Sequence, residues 1–213
     1  MTVQDTIALI VIMLWPIIPL WWIPVHGANR FIRKPGFVIY PITFVLWVIS
    51  VYPIYMNRTF LLGFRIDFSV IIKVLGTLLA FAGIILQLWV LKSLSARVIT
   101  GVPEVINGET ATLVTGGPFS RVRHPTYLSH SLFFIGIFLS TGTMATGFVA
   151  LIDFIIVALI IVPMEEKELL SRFGDEYRLY MARTPRFLPR MRKQIPKRNE
   201  ESPTNTINTS KLA

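Results

Sequence analysis

Five apolar runs make up nearly half of this chain, over residues 7–25, 37–56, 68–91, 127–139 and 144–162. About 20 apolar residues in helical form cross the hydrocarbon core of a bilayer, and four of the runs are long enough; the run over 127–139 is short. Charged residues make up only 15% of the chain, against about a quarter in soluble proteins. The expected fold is an all-α integral membrane protein with about five transmembrane helices. Runs four and five are joined by Ser140-Thr141-Gly142-Thr143, too few residues for anything but a tight helical hairpin. The first run has no basic residues ahead of it and contains Pro16, Pro19 and Pro24 with Trp15, Trp21 and Trp22. It reads as a retained, kinked helix with an interfacial aromatic belt rather than a secretory signal.

Charge sets the expected orientation. Arg30, Arg33 and Lys34 follow the first run, Arg97, Arg121 and Arg123 fall between the third and fourth, and a basic tail follows the fifth. The positive-inside bias puts the N-terminus outside and the C-terminus in the cytosol, as five passes require. The net charge of +9 lies mostly beside membrane runs and in the tail, where anionic lipid head groups are the natural partners; no nucleic-acid binding is expected. With no cysteine there are no disulfides or thiolate ligands. His26, His124 and His130 show no metal-ligand spacing, and no metal site is predicted.

The chain divides into a membrane domain over residues 1–189 and a polar tail over 190–213 that is expected to be disordered. Residues 93–123 form the long polar connection, rich in glycine and proline, and a connection of that kind is usually functional or disordered. After Pro163, residues Leu169, Leu170, Phe173, Tyr177, Tyr180 and Met181 recur at three- and four-residue spacing among charges. This predicts a C-terminal amphipathic cytosolic helix ended by Thr184-Pro185.

Gly117-Pro118-Phe119-Ser120-Arg121-Val122-Arg123-His124-Pro125-Thr126-Tyr127 closes the polar connection and opens the fourth run, and Glu165-Glu166 stands at the exit of the fifth. Proline is pre-set for a first helical position, so His124 falls at or beside a helix cap. There, free amides and the positive dipole end point toward an anion. Two adjacent carboxylates at a membrane edge offer the opposite chemistry, accepting from hydroxyls or attracting a cation. Together the two segments describe a pocket for a zwitterion.

Those residues resemble the isoprenylcysteine carboxyl methyltransferase family and, more widely, the membrane phospholipid methyltransferases. The resemblance runs from Leu113-Val114-Thr115 through the Arg123-His124-Pro125-x-Tyr127 box and Glu165-Glu166. It continues in Phe173-Gly174-Asp175-Glu176-Tyr177-x-x-Tyr180-x-x-Arg183-x-Pro185-Arg186-x-x-Pro189. Ser120, Arg121 and Ser129 depart from the usual family pattern. The resemblance implies methyl transfer from S-adenosylmethionine to a lipid-borne acceptor, best a prenylcysteine-like carboxylate, that enters from the bilayer. It implies cofactor binding by Leu113, Val114, Gly117, Arg123, His124, Pro125, Tyr127, Glu165, Glu166, Tyr177 and Tyr180, with Arg183, Glu165 and Glu166 catalytic. The chemistry suits these residues: the cap and its amides fit a carboxylate, the glutamates fit ribose hydroxyls or an amine, and Tyr127, Leu113 and Val114 cover an adenine. Arg183 would grip an acceptor carboxylate with its planar fork.

Asp153 lies mid-membrane in the fifth run and is expected to pair with Lys73 or with a hydroxyl on a neighbouring helix. His130, six residues beyond His124, is expected to face away from the site. The first two runs carry no recognisable motif. The competing readings are a lipid amine or isoprenoid acceptor, an NADPH-dependent membrane reductase, and a non-catalytic scaffold or transporter subunit. The glutamate pair, which would repel a phosphorylated dinucleotide, counts against the reductase.

Overall fold

The computed structural model describes residues 1–27, 39–94 and 112–188. The tail, most of the polar connection, and Arg30, Arg33, Lys34 and Arg97 lie outside the described residues. Within them the chain is helical, apart from one isolated β-bridge between Arg65 and Thr143.

Helix α1 (Val3–Leu14) starts at a capping box: the Thr2 hydroxyl accepts from the Asp5 amide, and the Asp5 carboxylate accepts from the Thr2 amide. Pro16 has no amide to continue the ladder, so the chain turns at Trp15-Pro16 before α2 (Ile17–Gly27). Helix α3 (Ile39–Met56) returns, followed by the short α4 (Arg58–Gly63) and then α5 (Val70–Ser93), capped by Ser69. Helix α6 (Pro125–Thr141) has His124 at its N-cap and Pro125 at its first position. It ends at Gly142, whose φ of 70° suits a left-handed cap, and Thr143 leads into α7 (Met144–Ile156). The expected hairpin is therefore present, with a turn of only Gly142 and Thr143.

The fifth apolar run does not stop at Pro163. Helix α7 passes through a π-helical turn (Val157–Ile161), closed by the Val162 amide on the Val157 carbonyl, into α8 (Val162–Phe173). The extra residue in that turn makes room for a proline that has no amide and whose ring crowds the preceding turn. Gly174, with φ 52°, breaks the path before α9 (Asp175–Arg183). The single post-proline helix of the sequence reading is thus two pieces, the first continuous with the membrane run.

Among the described residues three stretches are long and apolar enough to cross a membrane, Val3–Pro24, Val70–Ser93 and Met144–Phe173, and the apolar stretch Tyr40–Met56 is shorter. The centre of the bundle is the antiparallel crossing of α5 on α6. A side chain at Gly76 would come within 2.6 Å of Leu139, and one at Gly83 within 2.7 Å of the Ser129 carbonyl. One at Gly136 would meet the Ala80 backbone. Small residues let the two backbones touch, which is how helices associate where lipid tails remove the hydrophobic drive between them. At one end of the bundle Arg65 pairs with Asp5, and the Ile66 amide donates to the Gly142 carbonyl. The opposite end gathers the conspicuous sequence motifs.

Asp153 is buried, and its partner is the indole of Trp15, which donates to one carboxylate oxygen at 3.1 Å. Lys73 is taken by Asp67 at 2.8 Å instead. The kink at Pro16 sets Trp15 against α7, which sequence spacing alone does not reveal.

Candidate functional site

The polar end is assembled by Arg123. Its backbone amide donates to the Pro185 carbonyl at 2.8 Å, and the His124 amide to the Arg186 carbonyl at 3.2 Å. The Arg123 guanidinium donates to the carbonyls of Met181 and Thr184, at 2.8 and 3.0 Å. A cation at a helix C-terminus opposes the dipole and satisfies carbonyls left without intrahelical donors. Tyr180 fastens the same element by donating to the Phe119 carbonyl at 2.7 Å. The two cap amides expected to face an anion are therefore spent on holding the C-terminal segment against the start of α6.

The adjacent glutamates divide. Successive residues on a helix point about 100° apart, so the two carboxylates meet different surroundings. Glu166 is buried and receives Arg123 at 2.8 Å, His124 Nε2 at 3.1 Å and Arg186, whose nearest nitrogen lies at 2.5 Å. It is the anionic centre of a cationic cage. Glu165 lies 3.4 Å from His124 Nδ1 and faces a cavity. The imidazole thus bridges both carboxylates. Burial pulls its pKa down, but the charges of Glu165 and Glu166 and hydrogen bonds to both outweigh burial and hold it above the ordinary histidine value of 6.5.

That cavity has a volume of about 580 Å³, within the range of about 300–1,000 Å³ usual for small-molecule sites. Arg123, His124, Glu165, Arg172, Tyr177 and Tyr180 line its charged end. Its other limb runs between α2, α3, α5 and α6 and is walled by residues such as Ile17, Trp21, Phe44, Val90 and Leu91. The Tyr177 side chain is 1% exposed, and its hydroxyl has no hydrogen-bond partner among the described residues. Burial raises the Tyr177 and Tyr180 phenols well above their ordinary value; the Glu166 and Glu165 charges add to this at Tyr177 and the Glu165 charge at Tyr180, against the opposing Arg123 charge.

Of the residues predicted from sequence, Leu113, Val114, Arg123, His124, Tyr127, Glu165, Tyr177 and Tyr180 line this cavity. Gly117, Pro125 and Glu166 are not on its wall. Gly117 instead makes the turn at the start of a short 3-10 helix (Gly117–Ser120), with φ 59° and no room for a side chain against Ser93. Arg183 is exposed at the end of α9 and also stands off the wall; Arg186 is the arginine that reaches Glu166. Sequence reasoning missed the motif-free N-terminal helices, which supply Trp21, Trp22, Tyr40 and Thr43 to the wall, and it missed Gln87 and His130. Proline and tryptophan crowding in the first run was the available signal.

Over the described residues, fold and site together define a helical protein with membrane-length helices and a cavity that is charged at one end and apolar at the other. Residues 71–176, from α5 to the start of α9, match the model of the family described as phospholipid methyltransferase. Two curated relatives are similar over part of their length. The cobalt-zinc-cadmium resistance protein CzcN of Cupriavidus metallidurans is 36% identical over 80 residues, 38% of this chain and 37% of that protein. The nickel-cobalt-cadmium resistance protein NccN of Alcaligenes xylosoxydans xylosoxydans is 33% identical over 87 residues, 40% of each. The similarity therefore spans well under half of each relative.

Proposed function

We propose that this protein is an S-adenosylmethionine-dependent methyltransferase whose acceptor is a membrane lipid. The observation that carries the reading is the two-ended cavity: Glu165, His124 and Tyr177 at one end, an apolar limb between helices at the other. When bound, S-adenosylmethionine supplies an activated methyl group on a sulfonium. The charged end fits it on an observation independent of the family match, since the buried Tyr177 hydroxyl points to a partner that the described residues do not provide. Glu165 would hold hydroxyls or an amine, Arg123 and Tyr180 would frame the polar part, and Leu113 and Val114 would cover the base. Glu166 orders the wall from behind by fixing Arg123, His124 and Arg186. Positioning and exclusion of water are what such a site contributes to a displacement at carbon.

For the acceptor, a prenylcysteine-like carboxylate calls for a cation beside the reacting atom, and Arg183, the group assigned that task from sequence, stands off the cavity wall. The apolar limb, with only neutral polar groups such as Thr43, Gln87 and Thr126, favours a lipid amine or hydroxyl. The orientation with this end in the cytosol, and anionic lipid as the partner of the basic tail, belong to the same proposal. The relatives' names speak of metal resistance, a property printed for those proteins.

Calorimetry with S-adenosylhomocysteine and with NADPH separates the classes. Binding of the first supports the methyltransferase, binding of the second alone supports a reductase, and binding of neither supports a scaffold.

A further inference from the structure

His130 lies on the wall of the apolar limb, at the same face of α6 as Tyr127, whose ring it meets edge-on at 6.2 Å, and Phe134 at 6.3 Å. The expectation that it faces away counted helical turns from His124, but His124 is a cap with φ −121° and ψ 62°, so the helical periodicity starts only after it. The ring of His130 has no hydrogen bond to any described residue, and its Nδ1 is buried without a partner. An unsatisfied buried polar atom costs about 1–3 kcal/mol, and in a native structure it asks for an explanation. Six residues at 1.5 Å each put His130 about 9 Å deeper along α6 than His124, away from the cluster that would hold the methyl donor and toward the lipid side.

We propose that His130 contacts the methyl acceptor and takes the proton that the acceptor gives up. This rests on the reading of the protein as a methyltransferase of a lipid amine or hydroxyl. Such an acceptor carries a proton that must leave when its nitrogen or oxygen is methylated. The acceptor's lone pair forms the new bond to the methyl carbon, and the carbon–sulfur bond breaks with its electron pair remaining on sulfur, which turns the sulfonium into a neutral thioether. The acceptor's proton passes to a ring nitrogen of His130 and from there to water after product leaves. A carboxylate acceptor would release no proton and would have no use for this group.

The other titratable groups on the cavity wall suit the task less well. Helices α2 and α5 contribute none; α3 contributes Tyr40 and α6 contributes Tyr127, both phenols. Arg123, His124, Glu165, Arg172, Tyr177 and Tyr180 belong to the charged end. Asp153 of α7 is turned to Trp15. His130 is thus the imidazole on the limb that receives lipid, and Gln87, held by Ser129 at 2.5 Å, is a neutral neighbour on the same wall able to hydrogen-bond a headgroup.

The test uses the full-length protein in nanodiscs with labelled S-adenosylmethionine, phosphatidylethanolamine and a total lipid extract. Its variants are His130→Gln and His130→Phe. A positioned general base contributes about 10²–10⁴-fold, so His130→Gln should lower kcat by about a hundredfold or more and abolish the fall in rate that wild type shows toward acid pH. Lipid binding without cofactor, read from quenching of Trp21 and Trp22, should persist in His130→Gln and weaken in His130→Phe. Calorimetric binding of S-adenosylhomocysteine should be unchanged in both. If wild type transfers methyl groups and His130→Gln matches it within about twofold across the pH range, the proposal is overturned while the methyltransferase reading stands. If wild type transfers none to either lipid source, the reading beneath it fails, and His130 loses its role too. Should His130→Phe not fold, the His130→Gln kinetics alone decide.

Discussion

Replacing each glutamate of the pair separately should expose two different jobs. Glu166 is buried and faces three cationic or donor groups: Arg123, with a side chain 9% exposed, His124 at 3.1 Å, and Arg186, which is 48% exposed. Removing one partner of a buried ion pair costs about 3–5 kcal/mol, because the opposing charge stays buried without compensation. The glutamine amide also turns an N–H toward groups that are already donors. Arg186 is half in solvent, so its share is screened, and the loss for Glu166→Gln should fall at the lower end, about 3 kcal/mol. In a chain of this size each kcal/mol moves Tm by about 2–4 °C, giving a drop of about 6–12 °C. Glu165→Gln instead keeps that cage intact and removes a charged acceptor from the cavity wall. Its Tm should fall less than that of Glu166→Gln, because the contact weakened is the longer one to His124 at 3.4 Å, while affinity for S-adenosylhomocysteine falls about tenfold, the equivalent of one charge-assisted hydrogen bond at about 1.5 kcal/mol. Thermal unfolding followed by tryptophan fluorescence and calorimetry on the same detergent preparations measures both. The reasoning is refuted if Glu166→Gln melts like wild type, or if Glu165→Gln loses stability but not affinity.

Other consequences follow from the same contacts. The raised pKa of His124 means that its ion pairs with Glu165 and Glu166 contribute fully below pH 6.5 and are lost as pH rises through the elevated folded value; Tm should therefore decline on the alkaline side of 6.5, and His124→Gln should flatten that dependence. Gly136→Ala forces a methyl group onto the Ala80 backbone and should cost about 1–3 kcal/mol by overpacking, whereas Gly63→Ala, which meets nothing within 4 Å, should be nearly neutral; thermal melts of the pair check this. Asp153→Asn keeps an acceptor for the Trp15 indole while removing a carboxylate from membrane depth, where a charge costs at least about 2.5 kcal/mol, so Tm should be equal or higher and methyl transfer unaffected. A lowered Tm would show that the charge itself is used.

The meeting of the Arg-His-Pro segment with the glutamate pair was legible because each stands where an apolar run meets polar sequence, and such run ends at one membrane face must cluster. The small residues of α5 and α6 were visible, but their register was not, since it depends on which face of each helix meets the other. Which glutamate faces the cavity could not be read, because the orientation of α8 is set by the π turn at Val157–Ile161, and that turn also carried the helix past a proline that normally marks a boundary. The cavity contributions of Trp21, Tyr40 and Gln87 were hidden for a simpler reason. An apolar face that lines a lipid-receiving cavity has the same composition as one that faces lipid. The Trp15 bond to Asp153 joins residues 138 positions apart through a kink, beyond the reach of any local pattern.

The central claim is tested most directly by incubating the purified protein in nanodiscs with S-adenosylmethionine labelled on its methyl group and following the label into lipid. The account predicts label in the lipid fraction with wild type, on a headgroup nitrogen or oxygen, and little or none with Glu165→Gln. Wild-type protein that binds S-adenosylhomocysteine yet leaves every lipid unlabelled, or that binds NADPH in its place, would contradict it.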